Sequence, residues 1–129
     1  MRRAFVGLLV ITVAIAGLSM WTGASATESV HLRLTKSSPA KDDSLTESPT
    51  SIRLWFSLEP ERSISRITVT AADGTEIVTG KVEAQPENVI AAALPEVLGP
   101  GSYEVSWRTS SGDGHPIAGT FAFSVGSTR

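Results

Sequence analysis

The densest concentration of reactive side chains in the sequence is Asp113-Gly114-His115-Pro116. In an extended segment positions i and i+2 project to the same side. The Asp113 carboxylate and the His115 imidazole can therefore converge on one point. Gly114 lets the backbone turn or be approached closely. Pro116 fixes its own φ and biases His115 toward extended geometry. One imidazole nitrogen plus one carboxylate oxygen is half of a tetragonal N,O donor set, which suits Cu(II) or Ni(II). On their own, four such residues in a Gly-rich turn more often make a capped turn or a salt bridge than a metal site. The only other histidine is His31. It alternates with Val30, Leu32 and Leu34 and so belongs on the polar side of a strand, as a second imidazole donor or a solvated side chain.

Other chemistries are poorly supplied. The chain has no cysteine, which removes disulfides, thiolate zinc sites, iron–sulfur clusters and thiol nucleophiles. Ser37, Ser38, Ser110 and Ser111 lack a nearby His–acid arrangement that would make a nucleophile. Asp42 and Asp43 follow Pro39-Ala40 and read as turn caps. Glu59 and Glu61 flank Pro60 in what reads as a solvated loop. With 11 Lys+Arg against 13 Asp+Glu the formal charge is −2, which argues against nucleic acid as a partner.

The elements that must position these residues are strands. Period-two alternation runs through Val30–Leu34, Ile52–Phe56, Ile67–Thr70, Tyr103–Trp107 and Ile117–Val125. Asp73-Gly74 marks a hairpin before Glu76-Ile77-Val78. Val89-Ile90 is a weaker strand, since the alanines between Pro86 and Leu98 would also suit a short helix. Turn residues separate the runs. About seven strands in one domain predict an all-β, Ig-like or Greek-key antiparallel sandwich. Leu98-Gly99-Pro100-Gly101-Ser102-Tyr103 has the form of a tyrosine corner. Trp55 and Trp107 read as core or edge packing. In a sandwich the first strand can neighbour the penultimate one, which would bring the two histidines together.

Ahead of these strands, Arg2 and Arg3 precede an apolar run from Ala4 to Met20, followed by Ala24-Ser25-Ala26. This is the pattern of an export signal with cleavage after Ala26. It divides the chain into a signal, residues 1–26, and a domain, residues 27–129. The product is periplasmic or extracellular, or tethered if the signal is retained. Nothing after Met20 is apolar for long enough to insert in a bilayer.

Taken together, several stretches resemble the CopC-type copper resistance family. They are His31-Leu32-Arg33-Leu34-Thr35-Lys36-Ser37-Ser38-Pro39-Ala40, Ser51-Ile52-Arg53-Leu54-Trp55-Phe56-Ser57, Ile67 to Gly74, Gly99 to Arg108, and Ser111-Gly112-Asp113-Gly114-His115-Pro116-Ile117-Ala118-Gly119-Thr120-Phe121. The resemblance implies a Greek-key sandwich without enzymatic activity. It implies one Cu(II) held by His31, Asp113 and His115, and a role as buffer or as carrier to an inner-membrane CopD-like transporter. The family's Cu(I) site uses methionines; here the only two are Met1 and Met20, so no such site is expected. In the family the first histidine is the mature N-terminus and lends its α-amine. Cleavage after Ala26 would leave Thr27 to Val30 ahead of His31, and the predicted site is then two imidazoles and one carboxylate, weaker than the family pattern. It also removes an N-terminal copper brace of the kind that supports oxidation chemistry. The alternative is a metal-free sandwich that binds another exported protein through its strand edges.

Overall fold

The computed structural model describes residues 31–112 and 114–126. The segment read as an export signal, residues 1–26, and the site residue Asp113 lie outside the described residues. In chain order the strands are β1 (Leu34–Ser38), β2 (Asp43–Leu45), β3 (Ser51–Phe56), β4 (Arg66–Ala71), β5 (Glu76–Ile77), β6 (Glu83–Gln85), β7 (Val89–Ala93), β8 (Gly101–Ser110) and β9 (Pro116–Val125). They form two sheets, β1-β3-β7-β6 and β2-β9-β8-β4-β5. A three-residue 3-10 turn, Arg62–Ile64, precedes β4. Among the described residues no helix is long and apolar enough to cross a membrane.

The sandwich follows from the alternation. Ile52, Leu54 and Phe56 of β3 face Val105 and Trp107 of β8, Phe121, Phe123 and Val125 of β9, and Ile67 and Val69 of β4 across one core. Each such side chain, fully buried, contributes about 1.5–3 kcal/mol. Arg53, Glu104, Ser106 and Arg108, the residues between them, are exposed. Nine strands stand where seven were expected. The additional two, β2 and β6, have three residues each, too few to display a period. Asp43, expected as a turn cap, opens β2, which pairs parallel with β9 at Phe123 to Val125. Its carboxylate still accepts the Ser44 N–H at 3.0 Å.

The Pro86–Leu98 segment resolves to the strand β7. Its ambiguity has a cause: Val89, Ile90, Ala91 and Ala92 are all buried, so no polar alternation marks it. On its outer side Arg53 of β3 donates to the Gln85 Oε1 of β6 at 3.1 Å. That bond bridges the two strands flanking β7.

The expected turns form. Gly74 takes φ +88°, a left-handed conformation that glycine adopts without penalty, and the Ala71 N–H reaches the Thr75 carbonyl at 2.8 Å. Hydrogen bonds from the Thr75 backbone and then its side chain hold the Asp73 carboxyl below its usual range. The tyrosine corner is present: the Tyr103 hydroxyl donates to the Gly99 carbonyl at 2.6 Å, and its ring stacks on Phe123 with centroids 5.5 Å apart. Tyr103→Phe should cost about 1–2 kcal/mol through that one bond, lowering Tm by about 4–8 °C per kcal/mol for a domain of this size. Thermal unfolding by circular dichroism checks this, and an unchanged Tm would show the corner to be energetically idle.

Candidate metal centre

His31 is exposed and precedes β1 rather than lying within it. The strand expected from Val30 to Leu34 begins only at Leu34, because a side chain replaces the ladder there. The Ser57 hydroxyl donates to the His31 carbonyl at 3.1 Å and accepts the Arg33 N–H at 3.0 Å. The Ser57 N–H donates to the Arg33 carbonyl at 2.9 Å. Leu32, between them, is buried in the core as the alternation required. Just beyond, Leu34 pairs with Phe56 and Lys36 with Trp55, so the register shifts at Thr35. The Thr35 hydroxyl caps the irregularity by donating to the Trp55 carbonyl at 3.1 Å. Such a bulge bends an edge strand and re-aims what precedes it.

His115 sits on the connection between β8 and β9, the two longest strands. Ser110 and Pro116 form the last ladder pair before it. The connection closes with the Gly114 N–H donating to the Ser111 carbonyl at 3.1 Å, with Gly114 at φ +79°. His115 is exposed.

One segment ties both arms to the same end of the sandwich. The β3–β4 connection carries Ser57, which holds the His31 segment, and Glu61, whose N–H donates to the Ser110 carbonyl at 2.7 Å. Four residues of chain reach at most about 14 Å, so these two anchors cannot be far apart. A buried pair secures the second anchor. The Ser65 and Thr109 hydroxyls lie 2.7 Å apart, and Ser65 also donates to the Glu61 carbonyl at 2.7 Å. Phe56, the residue before Ser57, meets Trp107 edge-on with centroids 5.4 Å apart. Glu59, Pro60, Glu61 and Gly112 line a shared hollow at this end. Among the described residues no three His, Asp or Glu side chains come together as a metal-holding group; the third member of the expected set, Asp113, is outside them.

Sequence reasoning missed Ser57, Glu61, Ser65 and Thr109. Thr109 carried a signal: it continues the inward period of Val105 and Trp107, and a hydroxyl at a core position needs a buried partner. Ser57 carried none. The two tryptophans also separate. Trp107 is core, whereas Trp55 faces outward with the Lys36 ammonium 4.7 Å and the Arg53 guanidinium 5.0 Å from its ring centre.

Fold and site together define a two-sheet β-sandwich in which one connection, β3–β4, holds the backbone of both histidine-bearing arms. The CopC domain family matches residues 34–126. The copper resistance protein C of Xanthomonas campestris pv. juglandis is 33% identical over 109 residues, covering 79% of this chain and 85% of that protein. The copper transport protein CutJ of Bacillus subtilis is 29% identical over 102 residues, 78% of this chain but 19% of that much longer protein. The crystal structure of CopC from Methylosinus trichosporium OB3b superposes with a TM-score of 0.68 at 31% identity, covering 74% of this chain and 94% of that one. The chain belongs to the CopC family of copper resistance and transport proteins, which bind copper, are not enzymes and are typically periplasmic.

Proposed function

We propose that the chain is an exported carrier or buffer that holds one Cu(II) through His31, Asp113 and His115 at the Ser57 end of the sandwich. The observation that carries this reading is the β3–β4 connection, which binds the backbone on both histidine-bearing arms. Two imidazoles and a carboxylate are a donor set for Cu(II). With cleavage after Ala26 the α-amine is four residues away from His31, so water or another group takes the fourth position. Both methionines fall at or before Met20, so the domain carries no thioether set for Cu(I). Export through the residue 1–26 signal places the domain outside the cytoplasmic membrane, where an inner-membrane CopD-like transporter is the fitting recipient. Intact mass of the exported product checks the start at Thr27.

The test is a Cu(II) titration in competition with a chelator, read by electron paramagnetic resonance. The reading requires a one-to-one tetragonal signal with nitrogen coupling. Absence of such a site would leave the domain as a metal-free interaction module.

Ser57 gives a finer check. Ser57→Ala removes the hydroxyl that fixes the His31 backbone while leaving every proposed ligand in place. Groups that orient metal ligands are worth about 10–100-fold in affinity, and a loss near the lower end, about tenfold, is expected here. Ser57→Thr keeps the hydroxyl and should restore most of it. Unchanged affinity in Ser57→Ala would mean that His31 needs no anchoring.

A further inference from the structure

The β4 corner of the second sheet gathers positive charge that is not among the proposed copper ligands, with Arg62 also bordering the Glu59–Glu61 hollow at the candidate metal end. Arg62 on the 3-10 turn, Arg66 at the start of β4 and Lys81 on the β5–β6 connection line one open hollow of about 320 Å³ with Ser65 and Thr79, and no carboxylate lines it. The chain as a whole is negative, at −2, so a generally basic surface does not account for three cations on one hollow. Arg66 also stands directly opposite Arg108 in the β4–β8 register. Like charges in that position destabilise an antiparallel pair, and an anion at the corner would offset the repulsion. The Arg66 guanidinium is partly fixed, with Nη1 donating to the Ser65 carbonyl at 3.1 Å, which leaves its other N–H groups for a ligand. β5 pairs only with Val69 and Thr70, so it does not cover the Arg66–Thr68 stretch of β4 where the hollow opens.

We propose that this corner binds a phosphate group, held by Arg62, Arg66 and Lys81. Arg62 and Arg66 come from one stretch of chain entering β4 and Lys81 from the β5–β6 connection, so two separate parts of the fold bring cations to one hollow. That arrangement suits a tetrahedral dianion with several acceptor oxygens. A planar carboxylate is satisfied by one bidentate arginine. The group is either free phosphate or the headgroup of a phosphomonoester lipid, and the same cations serve both.

The experiment has two arms, each on the purified chain at fixed ionic strength so that screening is constant. Amide chemical shifts are followed while inorganic phosphate replaces chloride, and sedimentation is measured with phosphatidylcholine vesicles with and without phosphatidic acid. Each arm is repeated on Arg62→Gln/Lys81→Gln and on Lys36→Gln/Lys41→Gln, which removes equal charge elsewhere. Saturable shifts at Ser65, Arg66 and residues 79–82, weakened about tenfold or more in the first variant because two charge-assisted contacts are lost, and kept in the second, assign free phosphate. Binding only to vesicles with phosphatidic acid, with the same dependence on the variants, assigns a headgroup. No response in either arm, or equal loss in both variants, overturns the proposal. Neither arm includes copper, so the outcome is independent of the metal site.

Discussion

Replacing His115 with alanine should abolish one-to-one Cu(II) binding. Removing a group that merely orients a ligand costs about 10–100-fold, so removing a ligand itself should exceed about a hundredfold. Asp113→Ala should weaken binding without eliminating it, because two imidazoles remain. The electron paramagnetic resonance signal supplies a second readout: nitrogen coupling should fall in His115→Ala and persist in Asp113→Ala. Binding should also weaken on acidification, since an imidazole coordinates only when neutral. The sign is fixed by competition, in that protons and copper claim the same nitrogen. Full affinity retained in His115→Ala would remove the proposed site. Thermal unfolding of the variant, measured alongside, separates lost binding from lost fold.

The second large effect lies in packing. Gly119 faces Trp107 across the β8–β9 ladder. A Cβ at Gly119 would stand 2.6 Å from the indole Cζ2 and 2.9 Å from Cε2, well inside contact distance. The indole has little freedom to yield, because it is 8% exposed and rests edge-on against Phe56. Gly119→Val should therefore destabilise the domain by about 2–3 kcal/mol, the upper range for overpacking. That corresponds to a Tm lowered by about 10 °C or more. Trp107→Phe in the same background frees volume and should recover part of the loss, a coupling expected only between residues in contact. Denaturant or thermal unfolding of the two single variants and the double measures it. Additive losses would show that the clash is relieved elsewhere.

How far the sequence reveals this molecule depends on the length and the faces of each strand. β3, β4, β8 and β9 have one buried and one solvated face over six to ten residues, so their alternation is readable, as are the Asp73-Gly74 hairpin and the Tyr103 corner. β7 is buried on both faces and loses its period. β2 and β6 are too short to have one, and β2 owes its existence to the neighbouring β9. The candidate ligands were legible as residue types, since only two histidines exist. The sequence suggested that the two histidines meet because the first strand neighbours the penultimate one; β1 instead pairs with β3 in the other sheet, and the two histidine arms are linked by Ser57 and Glu61, a hydroxyl and a backbone amide on a connection with no periodicity. The same hydroxyl explains why His31 lies outside the strand that its neighbours suggested.

The two histidine arms are unequal in how firmly they are held. His115 is flanked by a ten-residue hairpin paired along its whole length, from Gly101–Val125 to Ser110–Pro116. His31 hangs from an edge strand with four paired positions and a bulge. Local opening is cheapest where few backbone bonds must break. Amide hydrogens of residues 31–38 should consequently exchange before those of β8 and β9, and an ion held by both arms would lose its His31 bond by fraying of the edge, with the remainder of the domain still folded. Transfer to a recipient could then proceed one ligand at a time, with the departing ion never required to shed its whole coordination shell at once.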